Sequence, residues 1–370
     1  MKHLGKKITA AALTLMMALG ASCPVAAASG QWRQNDSGWW YALNGGGWAT
    51  GWQDISGSRY YFSPSGYMQT GWIQQDGNWY YLSGSGRMAT GWTWDGSGWY
   101  YFDSNGVMQR GWLSQGGKWY YLTGTGKMAT GWVWDGSGWY YLNSSGVMQT
   151  GWTWDGSNWY YLSGSGKMTT GWILDGGSWY FLATGQNQEF LDGSTASAGV
   201  MLKNRLIQWK GQLYWLGSDG KMTSNGTAQY GSYRLTLGGS GTVSSIQWNT
   251  GSNTLTLPAG WTPVSLEDKA CTLQSGDARA EILVDPAEQP EDLEQFAEDL
   301  EEELSDRFEL AITVLENGVE VSGERQIPET REYFQTRLIF SDGEMITIQA
   351  RWTDRDNPPL QALFQISDTL

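Results

Sequence analysis

The chain has 370 residues, enough for two or three domains, and it is rich in rings and glycines: 25 Trp, 19 Tyr and 51 Gly, with 16% charged residues. Its formal net charge of −14 argues against nucleic acid and an anionic membrane surface as partners, because both require a basic face. Acids and bases balance from Ser29 to Gly226, but from Thr227 onward 26 Asp and Glu outnumber 9 Lys and Arg. We therefore expect two differently built regions, 29–226 and 227–370.

Residues 1–28 have the pattern of a secretion signal peptide. Three lysines precede an apolar run from Ile8 to Leu19, and Ala26–Ala28 fits a small-residue cleavage site. The run is too short to span a bilayer, so no membrane span is predicted. Cleavage would leave Cys271 as the only thiol, and a secreted protein without an internal disulfide is expected.

A twenty-residue period runs through the next part of the chain. In each unit a Gly-Trp pair is followed after seven residues by a second Trp, or in one unit by Arg59. A pair of aromatic residues comes next, then a Gly, and a Met two residues later. Trp32 and Trp39 extend this frame backwards by one unit. The Gly-Trp tryptophans are Trp52, Trp72, Trp92, Trp112, Trp132, Trp152 and Trp172.

Each unit predicts a β-hairpin. Gly91–Trp94 and Trp99–Phe102 are short and β-prone, and Asp95–Gly98 between them has turn chemistry. A single hairpin is marginally stable in water, so the hairpins are expected to stack and bury rings against their neighbours. The predicted fold class is mainly β, a solenoid of aromatic hairpins.

The frame TGWxxxxGxWYYLxxxGxMxTGW closely resembles the choline-binding, or cell-wall-binding, repeats of Gram-positive surface proteins and lytic enzymes. The resemblance covers about Gln31 to Phe181, and a degenerate unit at Leu213–Met222 follows an insertion of about fourteen residues within 183–205. It implies attachment to choline on a wall polymer such as teichoic acid, and therefore a cell-wall or cell-surface location. No cofactor or metal is implied.

In the resembling family a choline site combines both Trp of one hairpin with a Tyr of the next hairpin. Aromatic cages suit a quaternary ammonium, because it has no N–H to donate and is attracted to ring faces. The third member lies 28 residues after the first, and Met108, Met128 and Met148 would close the cage walls. The resulting sets are Trp32/Trp39/Tyr60, Trp72/Trp79/Tyr100, Trp92/Trp99/Tyr120, Trp112/Trp119/Tyr140, Trp132/Trp139/Tyr160 and Trp152/Trp159/Tyr180.

Two positions depart from this pattern. In the set Trp52/Arg59/Tyr80 a cation replaces a ring, so we predict an inactive site. After Trp172 and Trp179 the insertion displaces the next Tyr, and only Tyr214 could complete that set.

Two other interpretations of the aromatic residues stay open. The rings could serve only as core, with Met filling gaps. They could also stack on a glucan or another sugar, although the positions after each Gly-Trp vary, whereas sugar sites usually add fixed polar side chains.

The remaining region predicts an acidic α+β domain, an antiparallel sheet with two helices. Leu293, Phe296, Leu300 and Leu304 form an apolar stripe at helical spacing within 291–308, and a second helix is predicted over 359–370. Strands are predicted at 245–248, 254–257, 279–284, 310–315, 318–321, 333–340 and 345–352. The order of elements resembles the PsbP/DcrB-like fold, which implies a fold only.

No catalytic set is recognisable in the acidic domain. The only histidine, His3, falls in the signal, which argues against Ser-His-Asp, Cys-His and His-ligated zinc chemistry. The acids of 291–308 fit the solvated face of a helix better than a glycosidase pair. We predict a protein that is not an enzyme, and an unrecognised wall-modifying activity is the alternative. The partner of this domain is not indicated.

Overall fold

The computed structural model describes residues 29–185, 189–191, 194–304, 309–327, 330–353 and 360–366. The predicted signal, 1–28, lies outside these residues. The described chain is mainly β and forms two compact units. One unit runs to Thr130 and includes Leu142–Met148, and the other contains Gly131–Tyr141 and continues from Gln149.

Repeated hairpins fill the first half of the described chain. Their turns depend on glycine: Gly116 and Gly117 have φ angles of 60° and 74°, which match the twist of the flanking strands and are costly for other residues. Among the described residues, the first sixteen strands form eight two-stranded sheets. They are β1 (Gly30–Asn35) with β2 (Gly38–Leu43), β3 (Gly51–Ile55) with β4 (Ser58–Phe62), β5 (Gly71–Gln75) with β6 (Asn78–Leu82), β7 (Gly91–Trp94) with β8 (Trp99–Phe102), β9 (Gly111–Gln115) with β10 (Lys118–Leu122), β11 (Gly131–Trp134) with β12 (Trp139–Leu142), β13 (Gly151–Trp154) with β14 (Trp159–Leu162), and β15 (Gly171–Asp175) with β16 (Ser178–Leu182).

The loop that follows each hairpin packs against its neighbours. The Met108 N–H donates to the carbonyl of Trp79 at 2.9 Å. A side chain at Gly126 (φ 85°) would collide with the Met108 thioether, so this glycine is required for close stacking. From the second hairpin on, the last residue of each second strand, such as Leu82 or Leu122, is fully buried.

The insertion ends in a further hairpin that keeps the repeat geometry. β18 (Arg205–Trp209) and β19 (Gln212–Leu216) pair, and β17 (Glu189–Phe190) joins them at the edge. Met201 bridges Leu182, as the Met of each earlier repeat bridges the end of its own hairpin. The β18–β19 hairpin therefore continues the stack after the insertion.

The C-terminal region contains a four-stranded and a seven-stranded antiparallel sheet. The first has the order β20-β21-β22-β23, and the second has the order β24-β25-β26-β30-β29-β28-β27. The elements are β20 (Gly226–Tyr230), β21 (Tyr233–Leu237), β22 (Val243–Asn249), β23 (Thr254–Thr256), β24 (Thr262–Leu266), β25 (Ala270–Ser275), β26 (Ala278–Pro286), α1 (Leu293–Leu304), β27 (Glu309–Leu315), β28 (Gly318–Ile327), β29 (Thr330–Ser341), β30 (Glu344–Trp352) and α2 (Leu360–Phe364).

The predicted fold class is confirmed: hairpin repeats are followed by a separate α+β domain with a sheet and two helices. The apolar stripe of α1 packs on the sheet around Ala297, Val319 and Val321, while its acids lie on other faces. The second helix is shorter than predicted, because residues 365–366 form a turn. Residues 305–308, 359 and 367–370 of the predicted helices lie outside the described part. The resemblance to the PsbP/DcrB-like fold stays a prediction.

The core of the C-terminal sheets also includes residues of the last hairpins. Trp248 is fully buried and stacks on Tyr233, with ring centroids 5.4 Å apart. Leu206 and Leu213 of the β18–β19 hairpin belong to the same cluster of buried side chains. This hairpin therefore packs into the sheet region instead of ending the stack against solvent.

Candidate functional site

Strand alternation places the rings of each repeat on two opposite faces. In the β5–β6 hairpin Trp72 pairs with Tyr81, and Gln74 pairs with Trp79, so both tryptophans share one face. In the next hairpin Tyr100 precedes Tyr101 and therefore points to the opposite face. Each hairpin from β5–β6 to β15–β16 consequently presents two tryptophans on one side and a tyrosine on the other.

Stacking brings the first Trp of one hairpin against the Tyr of the next. Five of the six predicted Trp–Tyr combinations form edge-to-face contacts with interplanar angles of 63–71°. The centroid separations are 5.0 Å for Trp32–Tyr60, 4.7 Å for Trp72–Tyr100, 4.9 Å for Trp92–Tyr120, 4.6 Å for Trp132–Tyr160 and 4.8 Å for Trp152–Tyr180. In the sixth set Trp112 contacts Trp119 at 6.5 Å, and Tyr140 belongs to the other compact unit.

The second Trp completes the cage in two different ways. In one arrangement its ring meets the first Trp edge-to-face, at 6.4 Å for Trp32–Trp39 and 6.2 Å for Trp72–Trp79. In the other it contacts an additional Trp that the repeat frame did not single out. These pairs are Trp94–Trp99 at 5.8 Å, Trp134–Trp139 at 5.7 Å and Trp154–Trp159 at 5.6 Å. The period of two predicts this contact, because Trp94 lies two residues after Trp92 on the same face.

The cages are open to solvent on the side of the second Trp. Trp99 is 44% exposed and Trp159 is 41% exposed, whereas their first tryptophans are half-buried. Large rings at this exposure are unfavourable unless something covers them.

The set around Trp52 contains its own cation. Trp52 and Tyr80 are 4.9 Å apart, as in the other cages, but the Arg59 guanidinium carbon lies 5.4 Å from the Trp52 ring centroid. Arg59 also faces Asp54 at 3.8 Å. The ring face that an ammonium ligand would use is thus taken by a side chain.

The structure assembles a further cage across the insertion. Trp172 contacts Trp179 at 6.3 Å and Tyr214 at 5.0 Å. The geometry matches that of the Trp72 cage, because the β18–β19 hairpin stacks where the next repeat would lie.

The methionines lie beside the second tryptophans. Met128 donates its N–H to the Trp99 carbonyl at 2.7 Å, and Met148 donates to the Trp119 carbonyl at 2.8 Å. The thioether of Met128 packs against Gly146, as that of Met108 packs against Gly126. Their role as cage walls stays a prediction.

Three cages include a carboxylate that the repeat frame did not reveal. The indole N–H of Trp72 donates to Asp95 at 3.0 Å, that of Trp132 to Asp155 at 3.1 Å, and that of Trp152 to Asp175 at 3.1 Å. Each acid lies 23 residues after its Trp, in the turn of the next hairpin. The constant offset is the signal that could have found them.

Hydrogen bonds lower the pKa of two of these carboxylates, those of Asp95 and Asp155. Partial burial raises the pKa of Asp155, but hydrogen bonds from Asn158, Ser157 and Trp132 outweigh it and lower the pKa below its usual value. The pKa of Asp95 is lowered in the same manner against the effect of burial. Burial, together with the charge of Asp155, raises the pKa of Tyr160. The phenol of Tyr160 therefore stays neutral next to the carboxylate of Asp155.

Fold and site together define a class of proteins with stacked hairpins and aromatic cages between them. A family model described as choline-binding repeat matches residues 49–91, 89–131 and 129–168, and a model for a cell wall binding repeat matches 170–184. Residues 49–168 of the chain therefore match choline-binding repeats, and residues 170–184 match a cell wall binding repeat. This assignment indicates non-covalent binding of cell-wall choline by the repeat region.

Solved structures similar to this chain come from Streptococcus pneumoniae. Choline binding protein F is 27% identical, with 58% of this chain and 98% of that chain covered and a TM-score of 0.40. The choline-binding domain of CbpL is 34% identical, with 54% and 97% covered and a TM-score of 0.40. The modular autolysin LytC is 26% identical, with 63% and 51% covered and a TM-score of 0.44.

No curated protein sequence matches the chain. Within the described residues no helix is long and apolar enough to cross a membrane.

Proposed function

We propose that the repeat region binds choline groups of a wall polymer such as teichoic acid and thereby attaches the protein non-covalently to the cell surface. The observation that supports this most directly is the recurring Trp–Tyr contact at 4.6–5.0 Å beside a second, exposed Trp. Each such set gathers three aromatic rings, of which the second Trp is the most exposed in the Trp32 and Trp132 sets. The six predicted sets and the set Trp172/Trp179/Tyr214 are the proposed choline sites.

The chemistry of the cage suits a quaternary ammonium. Ring faces carry a negative quadrupole potential, and a partly desolvated cage can contribute ~2 kcal/mol of cation–π attraction. One such site binds weakly, but several sites on a polymer that carries many choline groups raise the effective affinity by orders of magnitude.

The proposal extends to the rest of the chain. Residues 1–28 direct secretion, residues 29–226 form the attachment region, and residues 227–370 form an acidic domain that the repeats display at the surface. The acidic domain is proposed to be non-catalytic. Cys271, a potential nucleophile, is fully buried in it, and burial raises the pKa of its thiol.

Affinity chromatography tests the ligand. The full-length mature protein should be retained on an immobilised tertiary amine and released by free choline, but not by the same ionic strength of sodium chloride. Retention on dextran with no retention on the amine would instead support the glucan interpretation. Release of sugars or peptides from purified cell wall would contradict the non-catalytic part of the proposal.

A further inference from the structure

Two of the cages are built almost identically. Both begin with Trp-Thr-Trp, and in both the first Trp meets the Tyr of the next hairpin in the same orientation. The contacts are Trp92–Tyr120 at 4.9 Å and 63°, and Trp152–Tyr180 at 4.8 Å and 67°. The additional pairs, Trp94–Trp99 and Trp154–Trp159, also agree to within 0.2 Å, at 5.8 Å and 5.6 Å.

These two cages differ in the residue that stands opposite the indole N–H of the first Trp. Trp152 donates to the Asp175 carboxylate at 3.1 Å. At the same offset from Trp92 stands Gln115, whose side-chain oxygen accepts from the hydroxyl of Tyr101 at 3.3 Å. Within the part of the chain that the structure describes, no carboxylate accepts a hydrogen bond from Trp92.

The backbone around the two positions is the same. Asp175 is followed by two glycines with φ angles of 55° and 79°, and Gln115 is followed by two glycines with φ angles of 60° and 74°. Both residues end the first strand of a hairpin and face the hairpin before it. An aspartate at position 115 could therefore reach the Trp92 indole as Asp175 reaches Trp152.

We propose that Asp95, Asp155 and Asp175 determine specificity by making their cages select for the positive charge of the ligand. The Trp92 cage, which lacks the acid, selects mainly for the apolar shape of the trimethyl group. This inference rests on the proposed binding of choline.

Two physical effects explain why a cage with an aspartate would select for the charge of the ligand. A fixed negative charge at the edge of the cage attracts a cation over a short distance, where a half-buried site is screened less than open solvent. An anionic acceptor on the indole N–H also pushes electron density into the ring, which strengthens the negative potential of its face. Both effects act on a charged ligand and leave an uncharged ligand of the same shape nearly unaffected.

A reciprocal exchange in the full-length protein tests the proposal. The variants are Asp175→Gln and Gln115→Asp, and the ligands are choline and its uncharged carbon analogue 3,3-dimethylbutan-1-ol. Affinity at each cage is read from the indole N–H resonances of Trp152 and Trp92 in protein labelled with nitrogen-15 tryptophan. Each resonance is assigned by its loss in the corresponding Trp→Phe variant.

Asp175→Gln should weaken choline binding at Trp152 about five-fold, which corresponds to about 1 kcal/mol, and leave binding of the alcohol unchanged. Gln115→Asp should strengthen choline binding at Trp92 by a similar factor. The exchange is needed because the cages also differ in other neighbours: Lys127 packs over Gly98, which precedes Trp99, whereas Asn158 precedes Trp159. Each substitution changes the acid and leaves these neighbours in place.

Asp103→Asn is the matched control for loss of one negative charge. Asp103 caps a loop away from the first indole, and Asn143 already makes the corresponding bonds in another repeat, so choline affinities should not change. An equal loss of affinity for choline and for the alcohol would overturn the proposal, because it would mean that Asp175 only positions Trp152. An unchanged ratio of the two affinities would overturn it as well. If choline shifts no indole resonance in the unsubstituted protein, the proposed function itself fails, and the two failures are thus distinguishable.

Discussion

The guanidinium carbon of Arg59 lies 5.4 Å from the centre of the Trp52 ring, where the other repeats carry a second Trp. Trp52 and Tyr80 still meet at 4.9 Å, so the frame of a cage is intact. An internal cation occupies the ring face and would repel an ammonium ligand. At this position, Trp52 and Tyr80 are therefore arranged as in the other cages, but the positive charge of Arg59 opposes the binding of a cation.

Arg59→Trp should convert this position into a functional cage and add one bound choline per chain. Titration calorimetry on the full-length protein gives the count. Arg59→Lys is the control, because it keeps the charge and should leave the count unchanged. An unchanged count in Arg59→Trp would show that the cage residues are assigned incorrectly.

Trp179→Ala should remove one bound choline, because it opens the cage that Trp172 and Tyr214 form across the insertion. The loss should come with little change in global stability, since Trp179 is 43% exposed. Leu174→Ala in the paired strand is the control: Leu174 is 57% exposed and lies directly across from Trp179. If both variants bind as many choline molecules as the unsubstituted protein, Trp172 does not belong to a working site.

The sequence predicts the hairpins and most of the cage contacts because one period controls both. A Tyr 28 residues after a Trp must face it once hairpins of twenty residues stack with alternating strand faces. Sequence pattern likewise predicts seven of the C-terminal strands, although β20, β21, β24 and β25 are not among them, and the spacing of Phe296 and Leu300 predicts α1.

Other features depend on neighbours that no local pattern encodes. The β20–β21 hairpin has no Gly-Trp, yet Met222 packs against Gly241 as in a true repeat. Sequence spacing names Tyr214 as the candidate partner of Trp172, but the contact between the two rings depends on how the hairpins stack. Sequence spacing alone could not place Leu206 and Leu213 in the core of the C-terminal sheets, because that contact joins parts of the chain with different periods.

Gly126→Ala should lower the free energy of unfolding of the repeat stack by more than ~1 kcal/mol. It forces a side chain into positive φ and into the Met108 thioether. Gly124→Ala, two residues earlier, meets no atom within 4 Å and should change stability by less than ~0.5 kcal/mol. Urea titrations that follow tryptophan fluorescence compare the two. Equal midpoints would contradict the close stacking at Gly126.

Cys271 should resist thiol reagents while the C-terminal domain is folded. Burial raises the pKa of its thiol, and the reactive thiolate therefore does not form near neutral pH. Labelling in native buffer at pH 8 should be slower than labelling in denaturant by ~100-fold or more, because reaction requires local opening. Rapid modification of the folded protein would contradict the position of Cys271 in the core.

A crystal structure of the full-length mature protein soaked in choline tests the central claim most directly. The account predicts a trimethylammonium group against the ring faces of Trp72, Trp79 and Tyr100, the same ligand in the equivalent cages, and none at Trp52 beside Arg59. Choline absent from the Trp72 cage at saturating concentration, or bound only outside the aromatic cages, would contradict it.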